Sequence, residues 1–281
     1  MLLTNYHSHT RYSDGSSNPL EYIEQAIEIG FKAYGFSCHA PVTFPCKWTI
    51  APEELDDYLT EIDSLKTQFA NKLEIYKSLE IDYFPSNPLS QPENYQKLGL
   101  DYVIGSVHFV DNLKNGEAWN IDTSKRIFDD GMLEIFGGDG KKAVTKFYAL
   151  TIEMLEITKP TIIGHLDKIK MFNIDNRYFS DNEQWYKDLL EPVLAKIAEL
   201  GTIVEVNTRG LYRNKTKDYY PSDYVLTRCL ELGIPVTINS DCHKPQEVAL
   251  GITEAREQLK SLGFKSVRIL LKNKWIDEII D

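Results

Sequence analysis

The sequence predicts an α/β fold built on a parallel sheet, and three observations carry that expectation. Short β-rich apolar runs alternate with helical patterns along nearly the whole chain of 281 residues. No stretch between them has the composition of a linker, so one domain over residues 1–281 is expected. Seven such runs without a break favour one closed or nearly closed barrel over an open doubly wound sheet.

The elements follow in order. Residues 2–7 read as the first strand. After a Ser/Gly/Asn loop, Asn18 can cap a helix that has Pro19 at its first position, repeats Leu20, Ile23 and Ile27, and ends at Gly30. Residues 33–38 form the second strand, and a loop over 40–51 leads to a helix over 52–69. Strands follow at 73–79, 102–107, 161–164, 202–206 and 235–239. Helices fill 141–157, 182–200, 222–232 and 245–262. The tail segment 266–271 could add an eighth strand.

Composition narrows the class. A formal net charge of −11 argues against a nucleic-acid binder, whose affinity comes largely from Lys and Arg on phosphates, and against an anionic membrane surface. No apolar run approaches the length of a membrane helix, and the start, with no basic stretch, does not read as a secretory leader. Four cysteines without a CxxC pair do not form a disulfide framework, so a reducing cytoplasm is the expected compartment.

The six histidines carry the functional signal. His7, His9, His39, His108, His165 and His243 all fall at or just beyond the carboxyl end of an expected strand, the face on which barrel enzymes build their sites. Glu80, Asp241 and Asp14 share that placement. Glu205 is at a strand end too, as a ligand or as an acid that supports one. Imidazole nitrogens and carboxylate oxygens suit divalent Zn, Mn and Fe. In His7-x-His9 both rings point to one face of a strand, and Asp241-x-His243 repeats the spacing. A GxSxG nucleophile elbow is absent, and the Gly-rich stretch 137–142 lacks the spacing of a phosphate loop. Cys38 and Cys242 read as small buried thiols beside ligands.

Taken together, these residues resemble the polymerase and histidinol phosphatase (PHP) superfamily, from His7 to about Pro245. The segments GSVHFV (105–110), WNID (119–122), HLD (165–167), EVNT (205–208) and SDCHKP (240–245) are similar to its histidinol-phosphate phosphatase branch. The resemblance implies a distorted (β/α)7 barrel, three divalent metal ions, and hydrolysis of L-histidinol phosphate to histidinol in histidine synthesis. It places His7, His9, Glu80 and Asp241 on the first metal. Glu80 would bridge to a second, held also by His108 and His165. Asp14, His39 and His243 would hold the third. Many superfamily members carry histidine where this chain has Asp14.

A phosphate monoester dianion resists attack by water, so the site must supply positive charge and a deprotonated nucleophile; a pair of metals about 3.5–4 Å apart supplies both, with a bridging hydroxide. Asp241 and His243 are the candidates for handling the proton of the leaving alkoxide. The family pattern places bases for the phosphate at Lys170 and Arg213, and Arg209 is a second candidate in the same loop. Recognition of the ammonium and imidazole of the substrate falls to Glu117, Trp119 and Asp122 in the loop after His108, with Phe44 and Trp48 in the loop after His39. The bland reading of Trp119 is an anchor against the barrel rim. The alternatives are another monoester (phosphotyrosine, a nucleotide or a sugar phosphate) and a PHP module that binds without catalysis. The expected partner is a small-molecule phosphate ester, with neither nucleic acid nor membrane.

Overall fold

A computed structural model describes residues 2–280. The strands are β1 (Thr4–Asn5), β2 (Ala33–Phe36), β3 (Glu74–Lys77), β4 (Glu80–Asp82), β5 (Ile104–Ser106), β6 (Phe109–Asn112), β7 (Ala118–Asn120), β8 (Ile162–Ile163), β9 (Ile203–Asn207), β10 (Val236–Asn239), β11 (Ser266–Leu271) and β12 (Lys274–Ile279). The helices are α1 (Pro19–Ile29), α2 (Leu55–Phe69), α3 (Pro92–Tyr95), α4 (Lys125–Glu134), α5 (Gly140–Ile157), α6 (Gln184–Leu200), α7 (Arg209–Tyr212), α8 (Asp223–Glu231) and α9 (Ile252–Leu262).

Two parallel sheets carry the fold, in the orders β1-β2-β3 and β10-β9-β8-β5-β4. Their strands are short and buried on both faces, as parallel strands under crossover helices must be. Single bridges join the two sheets, Ser8 with Cys242 and His39, beyond the end of β2, with Glu80. The backbone N–H of His9 donates to Cys242 O at 2.9 Å, and that of Ala40 to Glu80 O at 2.8 Å. The third expected strand is broken by Ser78 and Leu79 into β3 and β4, so Glu80 opens a strand of its own.

Local signals set several boundaries. α1 begins at Pro19, whose missing N–H costs nothing in a first turn, and ends at Gly30 with φ 95°. The single helix expected over 245–262 is instead a 3₁₀ turn at Pro245–Glu247 and then α9, because Gly251 at φ 76° breaks the run. The expected eighth strand exists as β11, but it pairs antiparallel with β12 in a separate hairpin. The β6–β7 hairpin and α4 were not expected from the sequence. No helix among the described residues is long and apolar enough to cross a membrane.

Candidate metal centre

Beyond β1 the chain stays extended, and the Ser8 bridge to Cys242 leaves His7 and His9 on one side with ring centroids 5.0 Å apart. His9 Nε2 lies 3.2 Å from Asp241 Oδ1, and His7 Nε2 lies 3.1 Å from Glu80 Oε2. Glu80 divides its two oxygens. Oε2 faces His7, His9 at 3.4 Å and His39 Nδ1 at 3.1 Å, whereas Oε1 faces His165 Nε2 at 3.0 Å and His108 Nε2 at 3.9 Å. Asp14 closes the outer side, 2.9 Å from His243 Nε2 and 3.6 Å from His9 Nδ1. His165 and Asp241 hold positive φ, 21° and 49°, a strained backbone of the kind that turns side chains into functional sites.

Three overlapping groups here could hold a metal ion: His9, Asp14, His39 and His243; His7, His9 and Asp241; His39, Glu80 and His108. The grouping differs from the expected one: His9 and His39, whose rings stack at 4.4 Å, each serve two groups, Glu80 joins His39 and His108 and not His7, His9 and Asp241, and His165 is in none of the three. The chemistry fits a cation. Both ring nitrogens of His9 and Nδ1 of His39 have carboxylate oxygens within 3.6 Å, yet none is aligned as a hydrogen bond. Burial, helped by His243 and His39, pushes His9 down to about 3, so the neutral ring keeps one nitrogen lone pair free to coordinate. Burial opposes charge on His39, but Glu80, Asp82 and Asp14 outweigh it and lift His39 to about 9. Burial likewise opposes charge on Glu80 and Asp241; neighbouring histidines, and Arg209 for Asp241, hold both well below the usual carboxylate range. Buried carboxylates in this number need cationic partners.

A further ring of groups orients these side chains. Glu205 Oε1 meets His7 Nδ1 at 2.6 Å and its other oxygen accepts from the His165 backbone at 2.9 Å, so Glu205 supports ligands and is not one of the three groups. Asn239 and Asn207 donate to Glu205, and Asn207 also to Asp241 at 3.0 Å. Asp82 takes the Nδ1–H of His108. The sequence reading missed Asp82, although Glu80-x-Asp82 has the same spacing of two that marks His7 and His9. Carboxylate and amide partners of this kind fix ring orientation and raise ligand basicity.

The groups floor a cavity of about 320 Å³ that Trp48, Asp122, Lys168, Phe172, Arg209 and Arg213 also line. Arg209 Nη1 holds Asp241 O at 3.0 Å, and Arg213 pairs with Glu247 at 3.2 Å. Three expected contacts are corrected. Lys170 does not line this cavity, because in the 3₁₀ turn Lys168–Lys170 residues two apart face different sides; its ammonium meets Asp167 at 2.6 Å, and Lys168 faces the cavity instead. Trp119 is fully buried, donates Nε1–H to Ile127 O at 3.0 Å, and packs over Gly131. A methyl at Gly131 would lie 2.0 Å from that nitrogen, so α4 docks on Trp119 only because 131 is glycine. Glu117 sits exposed near the hairpin tip beside Asn115, outside the cavity. Asp122 does reach the cavity, 2.8 Å from Lys168 Nζ. From the other loop Trp48 stands against His39 at 4.5 Å, while Phe44 packs with Phe84 and Phe109.

The chain is 26% identical over 268 residues to a protein of Deinococcus radiodurans named "Probable histidinol-phosphatase", covering 94% of this chain and 95% of that one. It is 26% identical to the histidinol-phosphatase of Bacillus subtilis, covering 86% and 94%. The fold superposes with a TM-score of 0.70 and 22% identity on a crystal structure of histidinol phosphate phosphatase from Lactococcus lactis complexed with zinc, L-histidinol and phosphate, covering 97% and 98%. The model of the PHP domain family matches residues 5–209, and the chain belongs to that family.

Proposed function

We propose that this protein hydrolyses L-histidinol phosphate to L-histidinol and phosphate, as a metal-dependent phosphomonoesterase of histidine biosynthesis. The observation that carries the reading is the cavity itself, with clustered imidazoles and carboxylates on its floor and two arginines in its wall. Relatives matched over nearly their full length bear the name histidinol-phosphatase. The whole chain acts as one unit in this reading, since Asp241 and His243 lie beyond the residues matched by the family model. The two sheets, joined at Ser8–Cys242 and His39–Glu80, are read as one distorted (β/α)7 barrel.

Three divalent ions, of zinc, manganese or iron, fit the donor set. His7, His9, Glu80 and Asp241 would hold the first, Glu80, His108 and His165 the second, and Asp14, His39 and His243 the third. Bound there, they supply Lewis acidity and a nucleophile at neutral pH. The protein's own groups do the rest. Arg209 and Arg213 draw the phosphoryl dianion to the cavity, and Arg209 also fixes the Asp241 loop. With Asp241 and His243 both engaged as ligands, a water beside them would carry the proton to the departing alkoxide; the His243 ring is set by Asp241 O at 3.0 Å from Nδ1. Trp48 and Phe172 offer faces for the imidazole of the substrate.

Phosphate release from histidinol phosphate, measured with added Mn²⁺ or Zn²⁺ and again with chelator, tests the assignment. Release that chelator abolishes is the expected result. Equal or faster release from phosphotyrosine, a nucleotide and a sugar phosphate would overturn the substrate, and no release from any of them would overturn the enzyme.

A further inference from the structure

We propose that Lys168 is a tethered cation that occupies the His108–His165 end of the cluster until a metal ion arrives, and then turns to bind the phosphoryl oxygens. The proposal rests on the phosphatase reading for its second half only.

The geometry is specific. His108 gives its Nδ1–H to Asp82, which leaves the Nε2 lone pair facing the cluster. Lys168 Nζ lies 3.3 Å from that Nε2 and donates to it. His165 Nε2 is 3.2 Å from the same atom and 3.0 Å from Glu80 Oε1. The ammonium therefore uses the lone pair that a metal ion held by Glu80, His108 and His165 would need. A donated hydrogen and a coordinate bond cannot share it, and two cations this close repel strongly in a buried site.

Lys168 does not depend on His108 for a partner. Asp122 Oδ2 already holds Nζ at 2.8 Å, closer than His108 at 3.3 Å, so the ammonium keeps a charged partner when it gives up the imidazole. The stem and head are about nine-tenths buried, so the swing is confined to the cavity that Lys168 and Asp122 both line. The Tyr220 hydroxyl lines the same cavity, is buried, and has no hydrogen-bond partner among the described residues. Turned from His108, the ammonium stands between Asp122 and the space over the metal groups, where a phosphoryl oxygen would sit. Asp122 is thus a positioning residue for Lys168. It is not free to take the ammonium of the substrate while that pair is closed.

The competition makes opposite-sign expectations for two ligands. Metal-free protein is titrated with Mn²⁺ by calorimetry, and the loaded protein is titrated with inorganic phosphate. Lys168→Met should bind the Mn²⁺ of one site about tenfold more tightly, since a competitor and a like charge are gone. The same variant should bind phosphate roughly ten- to a hundredfold more weakly, the effect of losing one charged hydrogen bond. Lys168→Arg should recover most of the phosphate affinity. Asp122→Asn, which removes the carboxylate that holds the ammonium and leaves His108 as its main partner, should weaken Mn²⁺ binding. A lysine that merely stabilises the fold would weaken both ligands when lost. Unchanged or weaker Mn²⁺ binding in Lys168→Met, or unchanged phosphate binding, would overturn the proposal. The Mn²⁺ arm uses no substrate, so it stands even where wild-type protein fails to turn over histidinol phosphate.

Discussion

Two walls of the site are unlike. One is made of strand ends, where His7, Glu80, His165 and Asp241 are each held by a polar partner such as Glu205, Ser106 or Asn207. The other is made of the loop over 40–51, which sends Trp48 inward, and the β6–β7 hairpin with the segment after it, which sends Asp122 and Thr123. Both carry aromatic residues, and the hairpin charged ones too, yet most of those side chains hold the loops in place. Trp119 is buried under α4, and Phe44 packs on Phe84 and Phe109. The difference teaches that composition near a site is weak evidence of a role, whereas a rigid backbone with a repeating direction is strong evidence.

Four substitutions probe that division, in falling order of effect. Glu80→Gln keeps the shape and removes the charge shared by both halves of the cluster; turnover should drop by roughly three orders of magnitude, with bound metal falling too. Normal turnover and metal content in that variant would erase the contrast between the walls. Trp119→Ala attacks the other wall through stability. It should cost about 3–5 kcal/mol by denaturant unfolding while leaving kcat/KM of the folded protein close to wild type. A selective loss of turnover without lost stability would return Trp119 to the substrate. Glu205→Gln loosens His7 and should weaken metal binding about ten- to a hundredfold, measured by competition with a chromophoric chelator; unchanged affinity would mean that Asn239 and Asn207 suffice to set the ring. Glu117→Gln, at an exposed position away from the cavity, should change stability by no more than about 0.5 kcal/mol and leave KM alone. A raised KM there would show that the hairpin closes on the substrate.

Much of the strand-end wall was legible beforehand, for a local reason. Side chains two apart in extended chain share a face, so His7-x-His9 and Asp241-x-His243 announce convergence without knowledge of the fold. The same rule reaches Asp82 from Glu80, and only the pairing with His108 shows what Asp82 is for. The start and stop of α1 were equally local, written in Pro19 and Gly30. The hairpin and α4 were not, because Asp129-Asp130-Gly131 in mid-helix weakens any propensity signal and the helix forms by docking on Trp119.

By itself, then, the sequence determined the α/β alternation, the carboxyl-end gathering of six histidines with Glu80, Asp14 and Asp241, and the metal chemistry those donors imply, because periodicity and donor type are properties of short segments. Tertiary structure alone decided that His9 and His39 each serve two groups, that Glu80 turns one oxygen to His7, His9 and His39 and the other to His108 and His165, and that Lys168 rather than Lys170 enters the cavity. Those outcomes depend on which face of a single turn packs inward and on distances between segments far apart along the chain, and no local pattern encodes either.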